Sequence, residues 1–139
     1  VQSIKDLVKD VLNTAKFNEN RLEVVVAPIS IHIASVKAMI NGSIKVAAQN
    51  MSETGNGAFT GEISGEQLVD FDINWVVLGH SERRSLFGET NEMVAKKLVR
   101  AQELGLNAIV CIGESLEQRE GGTTNDHLKC QLDAIKDSV

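Results

Sequence analysis

The sequence predicts an α/β fold built on parallel strands, and three observations carry that expectation. Short apolar runs begin near Leu22, Ile44, Trp75 and Asn107, spaced as successive βα units are. Each run is followed by a segment of helical periodicity, the alternation that places helices between parallel strands. The runs are almost continuously apolar rather than alternating, which points to a sheet covered on both faces. Periodicity does not by itself separate a closed barrel from a doubly wound open sheet.

Taken in order, Ile4, Leu7, Val8, Val11 and Leu12 recur on one face of an amphipathic helix. Leu22–Ala27 is a β-branched run that Pro28 terminates, a strand. Ser30 is placed to cap a second helix carrying Ile33, Val36, Lys37 and Ile40, closed by Asn41-Gly42. Ile44–Gln49 is the next strand. Asn50–Gly65 is rich in Gly, Ser, Asn and Thr and too long for an ordinary βα connection; such a loop is functional or disordered. Its apolar members are Met51 and Phe59. Helix character resumes at Ser64–Leu68 and leads into the strand Trp75–Gly79.

Asn91–Leu104 reads as a helix with Val94, Leu98, Ala101 and Leu104 inward, ended by Gly105. Asn107–Gly113 is the fourth strand, with Cys111 inside it as a buried, inert thiol. Gly121-Gly122 lies in a loop and lacks the Lys-Ser/Thr of a phosphate-binding P-loop, so it reads as a turn. Leu128, Leu132 and Ile135 mark a final helix.

The chain has 139 residues, enough for one domain with a core. Its 14 basic and 19 acidic residues give a net charge of −5, which argues against a nucleic-acid partner. No apolar run approaches the roughly 18–20 residues of a membrane span. An amphipathic N-terminus rather than a secretory signal, with two cysteines in no metal or redox motif, leads us to expect a cytoplasmic setting. His32 and His127 stand alone on expected helices, and no carboxylate–histidine cluster has metal spacing, so no metal is expected. The chain starts at Val1, without methionine and already inside a helical pattern, which suggests processing or a fragment.

The stretch Trp75-Val-Val-Leu-Gly-His-Ser-Glu-Arg-Arg-Ser-Leu-Phe-Gly-Glu89 holds the chemistry. A buried strand stops at Gly79 and hands over directly to His80, Ser81 and Glu82, at the carboxyl end where α/β folds place their ligand sites. Ser81 is read as the cap of a following helix and a positioning group, because nothing around it forms the base-and-orienter set of a nucleophile. A histidine facing a helix N-terminus is favoured in its neutral form, which donates a hydrogen bond without carrying charge. Glu82 reads equally as a helix-start acid. Arg83 and Arg84 read as salt-bridge formers with carboxylates of the same fold, in preference to phosphate binders.

This stretch resembles the signature of the triosephosphate isomerase family, enzymes built on the (β/α)8 barrel known as the TIM barrel. The resemblance continues through Ala48-Gln-Asn50, Gly57-Ala-Phe-Thr-Gly-Glu62 and Ile109-Val-Cys-Ile-Gly-Glu114, in matching order along essentially the whole chain. It decides the fold reading for a barrel of which residues 1–139 supply about half, strands two to five with helices one to five. A whole barrel takes about 250 residues. The reading is then one partial domain, a piece of a longer or split enzyme, with two unpaired strand edges and an uncovered apolar inner face.

The resemblance implies interconversion of glyceraldehyde 3-phosphate and dihydroxyacetone phosphate through an enediolate, in glycolysis and gluconeogenesis, with no cofactor. The family is itself the known example of a neutral electrophilic histidine at a helix N-terminus, and the matching residue is His80. Glu82 matches the residue that contacts the active-site lysine, which would precede Val1. Loop 50–65 matches the loop that docks into the second subunit of a homodimer, placing Thr60 beside the partner's site, with Gln49 and Asn50 at the strand end. Glu89 matches a structural acid near that interface. The glutamate base, under a closing loop, would follow Val139. These residues alone are therefore expected to be inactive. The alternative is a catalytically silent half-barrel that serves only as a dimer-interaction module.

Overall fold

The computed structural model describes residues 1–138. Four parallel strands lie side by side in chain order: β1 (Val25–Val26), β2 (Lys45–Ala48), β3 (Trp75–Leu78) and β4 (Asn107–Val110). The helices are α1 (Gln2–Asp6) before β1; α2 (Ile33–Met39), α3 (Gly65–Asp70), α4 (Ser81–Phe87) and α5 (Asn91–Glu103) between strands; and α6 (Leu116–Glu120) and α7 (Thr124–Asp133) after β4. This strand order without crossovers is what a barrel segment requires, since each βα unit adds its strand beside the last.

The core forms where helices meet one face of the sheet. Val46, Ala48, Val76 and Leu78 pack with Val8, Ile33 and Val36 on one side and Val94, Leu98 and Ala101 on the other. The alternation along β3 is plain: Val76 and Leu78 are buried, whereas Trp75 and Val77 are half-buried. On β4, Ile109 is 38% exposed. Trp75, Val77 and Ile109 stand outside the core cluster. Among the described residues, the two-sided cover suggested by the apolar runs gives way to the exposed inner face and two edges expected of a half barrel. The opposite face carries Lys45, Trp75, Val77, Asn107 and Ile109 beside the buried Ala47 and adds none of them to the helix-side core cluster, and β1 and β4 are edges.

Several element boundaries differ from the sequence reading. The first strand shrinks from Leu22–Ala27 to Val25–Val26, because register with Lys45 and Val46 gives only those two residues a partner. The first helix is irregular: α1 passes into a π-type turn over Leu7–Val11 and a 3₁₀ turn over Leu12–Thr14. The wider turn shifts the apolar phase, leaving Val8 buried but Leu7 and Val11 exposed. Ser30 is no cap; it opens a 3₁₀ turn, and α2 starts at Ile33 without a side-chain cap bond. On α7 the buried position is Gln131 rather than the expected Leu132, which is exposed. The long α5 has its expected inward stripe and stops before Gly105, whose φ of 71° closes the turn.

Candidate functional site at the carboxyl end of the sheet

The strand ends converge on one open cavity of about 530 Å³. Gln49 and Asn50 follow β2, His80, Glu82 and Arg83 follow β3, and Gly61–Ile63 come from the returning leg of loop 50–65; all line it. Parallel strands place their carboxyl ends on the same rim, so residues distant in sequence become neighbours there.

His80 is the best-defined member. It occupies the N-cap of α4, and its Nδ1 accepts a hydrogen bond from the Glu82 backbone N–H at 3.3 Å. An accepting Nδ1 carries no proton, so the neutral ring has its N–H at Nε2. The Glu82 carboxylate also stands 3.6 Å from Nδ1, a contact that acts as an ion pair only with a protonated ring. The backbone bond and the ion pair therefore belong to different protonation states. This geometry corrects the expectation for Ser81. The imidazole, one residue earlier, does the capping, and Ser81 takes the first helical position with an exposed side chain.

Glu82 lines the cavity with its carboxylate largely in solvent. Gln49 donates from Nε2 to the Ala27 carbonyl at 2.9 Å, tying the end of β2 to that of β1. Asn50 accepts from Lys97 Nζ at 3.0 Å, and the same ammonium bonds Glu89 at 2.6 Å. Glu89 also accepts from Arg83 Nε at 2.8 Å. Burial alone would push the Glu89 carboxyl up, but the hydrogen bonds and charges of Lys97 and Arg83 outweigh it and hold it below the ordinary value. Arg83 in turn lies 4.4 Å from the Phe87 ring centroid. The start of the long loop, α4 and α5 thus share one ionic network immediately behind the cavity.

Loop 50–65 is anchored at its base and free at its tip. Met51 is 1% exposed, Ser52 N–H donates to the Ile63 carbonyl at 2.8 Å, and Ser64 with Gln67 forms a capping box that starts α3. Phe59, by contrast, is 48% exposed, and Thr60 beside it is exposed and outside the cavity of its own chain.

Cys111 lies one residue beyond β4 rather than inside it, although its N–H still bonds the Leu78 carbonyl at 2.8 Å. Burial pushes its thiol up, with Arg84 pulling the other way, which fits an unreactive group. Arg84 departs from the expected carboxylate pairing: it donates to the Gly79 carbonyl and to Asn91. His32 and His127 are half-buried, and among the described residues no group of His, Cys, Asp and Glu could hold a metal. Nor is any described helix long and apolar enough to cross a membrane.

The sequence reading missed Lys97, 3% exposed at the centre of the network. Its signal was available: a lysine inside the stripe of Val94, Leu98 and Ala101 must be buried, and a buried lysine needs a partner.

A parallel βα segment with strands in chain order and a polar cavity at their carboxyl ends defines an α/β scaffold of the kind a barrel segment has. The comparisons specify it further. The family model for triosephosphate isomerase matches residues 1–139. A triosephosphate isomerase of Paracoccidioides lutzii is 49% identical over 128 residues, 92% of this chain and 51% of that protein. A cytosolic triosephosphate isomerase of Oryza sativa subsp. japonica is 46% identical over 135 residues, covering 96% of this chain and 53% of the relative. A chloroplastic one from Secale cereale is 48% identical over 138 residues, 99% of this chain and 46% of the relative. The chain belongs to the triosephosphate isomerase family, and it spans about half the length of the curated relatives it matches.

Proposed function

We propose that the enzyme carrying this segment is a triosephosphate isomerase that interconverts glyceraldehyde 3-phosphate and dihydroxyacetone phosphate, with His80 as its electrophile. The observation that carries the proposal is the imidazole at the rim of the cavity, its Nδ1 occupied by the Glu82 N–H and its Nε2–H left to donate. A hydrogen bond from Nε2 to a substrate carbonyl oxygen polarises it and makes the adjacent C–H more acidic. As charge collects on that oxygen the same group can hand over its proton and take one from the neighbouring hydroxyl. Glu82 supports this by holding the ring through its backbone, with Ser81 in the first helical turn behind it and Cys111 an unreactive neighbour.

The base that removes the carbon-bound proton matches nothing in residues 1–139. We therefore propose that these residues do not turn over substrate unaided, and that supplying the missing strands restores turnover. The solvent-facing Phe59 and Thr60 support a homodimer in which loop 50–65 enters a second copy, with Gln49, Asn50 and Glu89 fixing the base of that loop. A cytoplasmic setting remains part of this reading; the rice relative is named cytosolic and the rye relative chloroplastic, so a fractionation experiment decides it.

The test is His80→Gln in the full-length enzyme, assayed as isomerisation of glyceraldehyde 3-phosphate coupled to reduction of the product. Turnover is expected to fall about 100-fold or more, the scale of losing a general acid–base group, while circular dichroism is unchanged. Near-normal turnover would overturn the assignment.

A further inference from the structure

Arg84 makes contacts that neither a phosphate-binding nor a salt-bridging arginine would make. Its Nε donates to the Gly79 carbonyl at 2.7 Å, and its own backbone N–H donates to the His80 carbonyl at 3.1 Å. The backbone bond is the first i→i−4 bond of α4, which any residue here would make; the side-chain bond to the Gly79 carbonyl, just before His80, is what the arginine itself adds. From the opposite end of the guanidinium, Nη1 donates at 2.7 Å to Oδ1 of Asn91, the first residue of the rigid α5.

The backbone at this point is also unusual. Gly79 has φ of 69°, and a Cβ there would meet Arg84 Nη2 at 2.9 Å and Val94 Cγ1 at 3.0 Å. The left-handed turn that re-aims the chain from β3 into the cavity is therefore packed directly under the guanidinium. Two donors at opposite ends of a planar fork reach acceptors on two elements, a geometry a lysine ammonium cannot reproduce.

We propose that Arg84, anchored by Asn91, is a positioning residue that sets the direction from which the His80 Nε2–H enters the cavity. The proposal rests on the reading of His80 as the electrophile. It assigns to Arg84 no contact with substrate: the guanidinium acts through the Gly79–His80 backbone.

The experiment is a double-mutant cycle in the full-length enzyme: Arg84→Lys and Asn91→Ala, each alone and each combined with His80→Gln. Arg84→Lys alone is expected to lower kcat about 10- to 100-fold, the cost of misplacing a reacting group by around an ångström. KM for glyceraldehyde 3-phosphate stays within about twofold, because binding is not what is lost. In the His80→Gln background the same substitution should change kcat less than about twofold, since the group it positions is gone. Asn91→Ala keeps the Gly79 bond, loses the far anchor, and should show the same pattern with a smaller loss. It decides the matter if Arg84→Lys does not fold. Equal fractional losses in both backgrounds would show a purely structural role and overturn the proposal, as would an unchanged kcat in the single variants. Failure of the underlying reading looks different, because His80→Gln alone would then leave turnover normal.

Discussion

The two faces of the sheet share much of their apolar content and have opposite surroundings. On the helix side, Val76 and Leu78 are sealed under α5, and even charge is buried: Lys97 and Glu89 pair there with almost no solvent contact. On the other side, Trp75 and Val77 are half-covered and Ile109 is open. The second face also carries Lys45 and Asn107, but among the apolar side chains the difference is packing rather than residue type. An apolar side chain contributes to stability only where other atoms replace water around it. The cavity lies at the carboxyl-end rim of this half-open sheet, with the helix-side network immediately behind it.

The contrast is broken most severely by attacking the buried ion pair. Lys97→Met removes the ammonium from Glu89 and Asn50 and leaves a buried carboxylate with Arg83 as its remaining cation. Stripping one partner from such a pair costs about 3–5 kcal/mol, read as a lowered midpoint in urea denaturation. A loss below about 1 kcal/mol would place the pair among surface salt bridges and dissolve the distinction between the faces. A step smaller, Leu78→Ala should cost about 2–5 kcal/mol through lost burial and the cavity left behind. Val77→Ala, on the other face, should cost clearly less in this chain than the matched Val76→Ala on the helix side. Equal losses would mean that the second face is packed after all.

Acid sharpens the comparison further. Glu89 titrates below its ordinary 4.5 in the folded chain, so it binds fewer protons there than when unfolded. Its contribution is fully present above pH 4.5 and is lost as pH falls through the depressed folded value. Denaturation midpoints of the unaltered chain should therefore drop across that window more steeply than those of Glu89→Gln. Matching slopes would remove Glu89 from the acid response and leave it to more exposed carboxylates such as Asp72 and Asp133.

Much of this arrangement was legible in the sequence. The run Trp75–Leu78, stopping at Gly79, identifies its own strand and places His80 at the strand end, because periodicity and glycine punctuation are local properties. The α5 stripe and the Ser64–Gln67 cap are local in the same sense. What escaped the reading depends on partners far along the chain. The stripe of Val94, Leu98 and Ala101 marks Lys97 as inward-facing, but its partners Asn50 and Glu89 appear only once the chain is folded. Arg84 binds a backbone carbonyl, and every residue has one, so no sequence pattern marks Gly79 as its acceptor. The π-type turn at Leu7–Val11 moved apolar residues off the face that a regular helix would have given them. The apolar runs by themselves did not mark which face stays open, since coverage depends on what packs there; the half-barrel resemblance alone implied it.

The smallest effect is also the most informative about that coverage. Ile109→Ala in residues 1–139 should cost about 1 kcal/mol, the centre of the range for single substitutions, because 38% of the residue already meets water. In the full-length enzyme, where the proposed remaining strands close over this face, the same change should cost about 2–5 kcal/mol, as a buried Ile→Ala does. A large loss in the 139-residue chain would instead reveal a face covered there too, and sedimentation would show whether a second copy covers it. A negligible loss in the full-length enzyme would mean that the barrel does not close over Ile109. The size of one substitution in two contexts thus measures directly how the open face is completed.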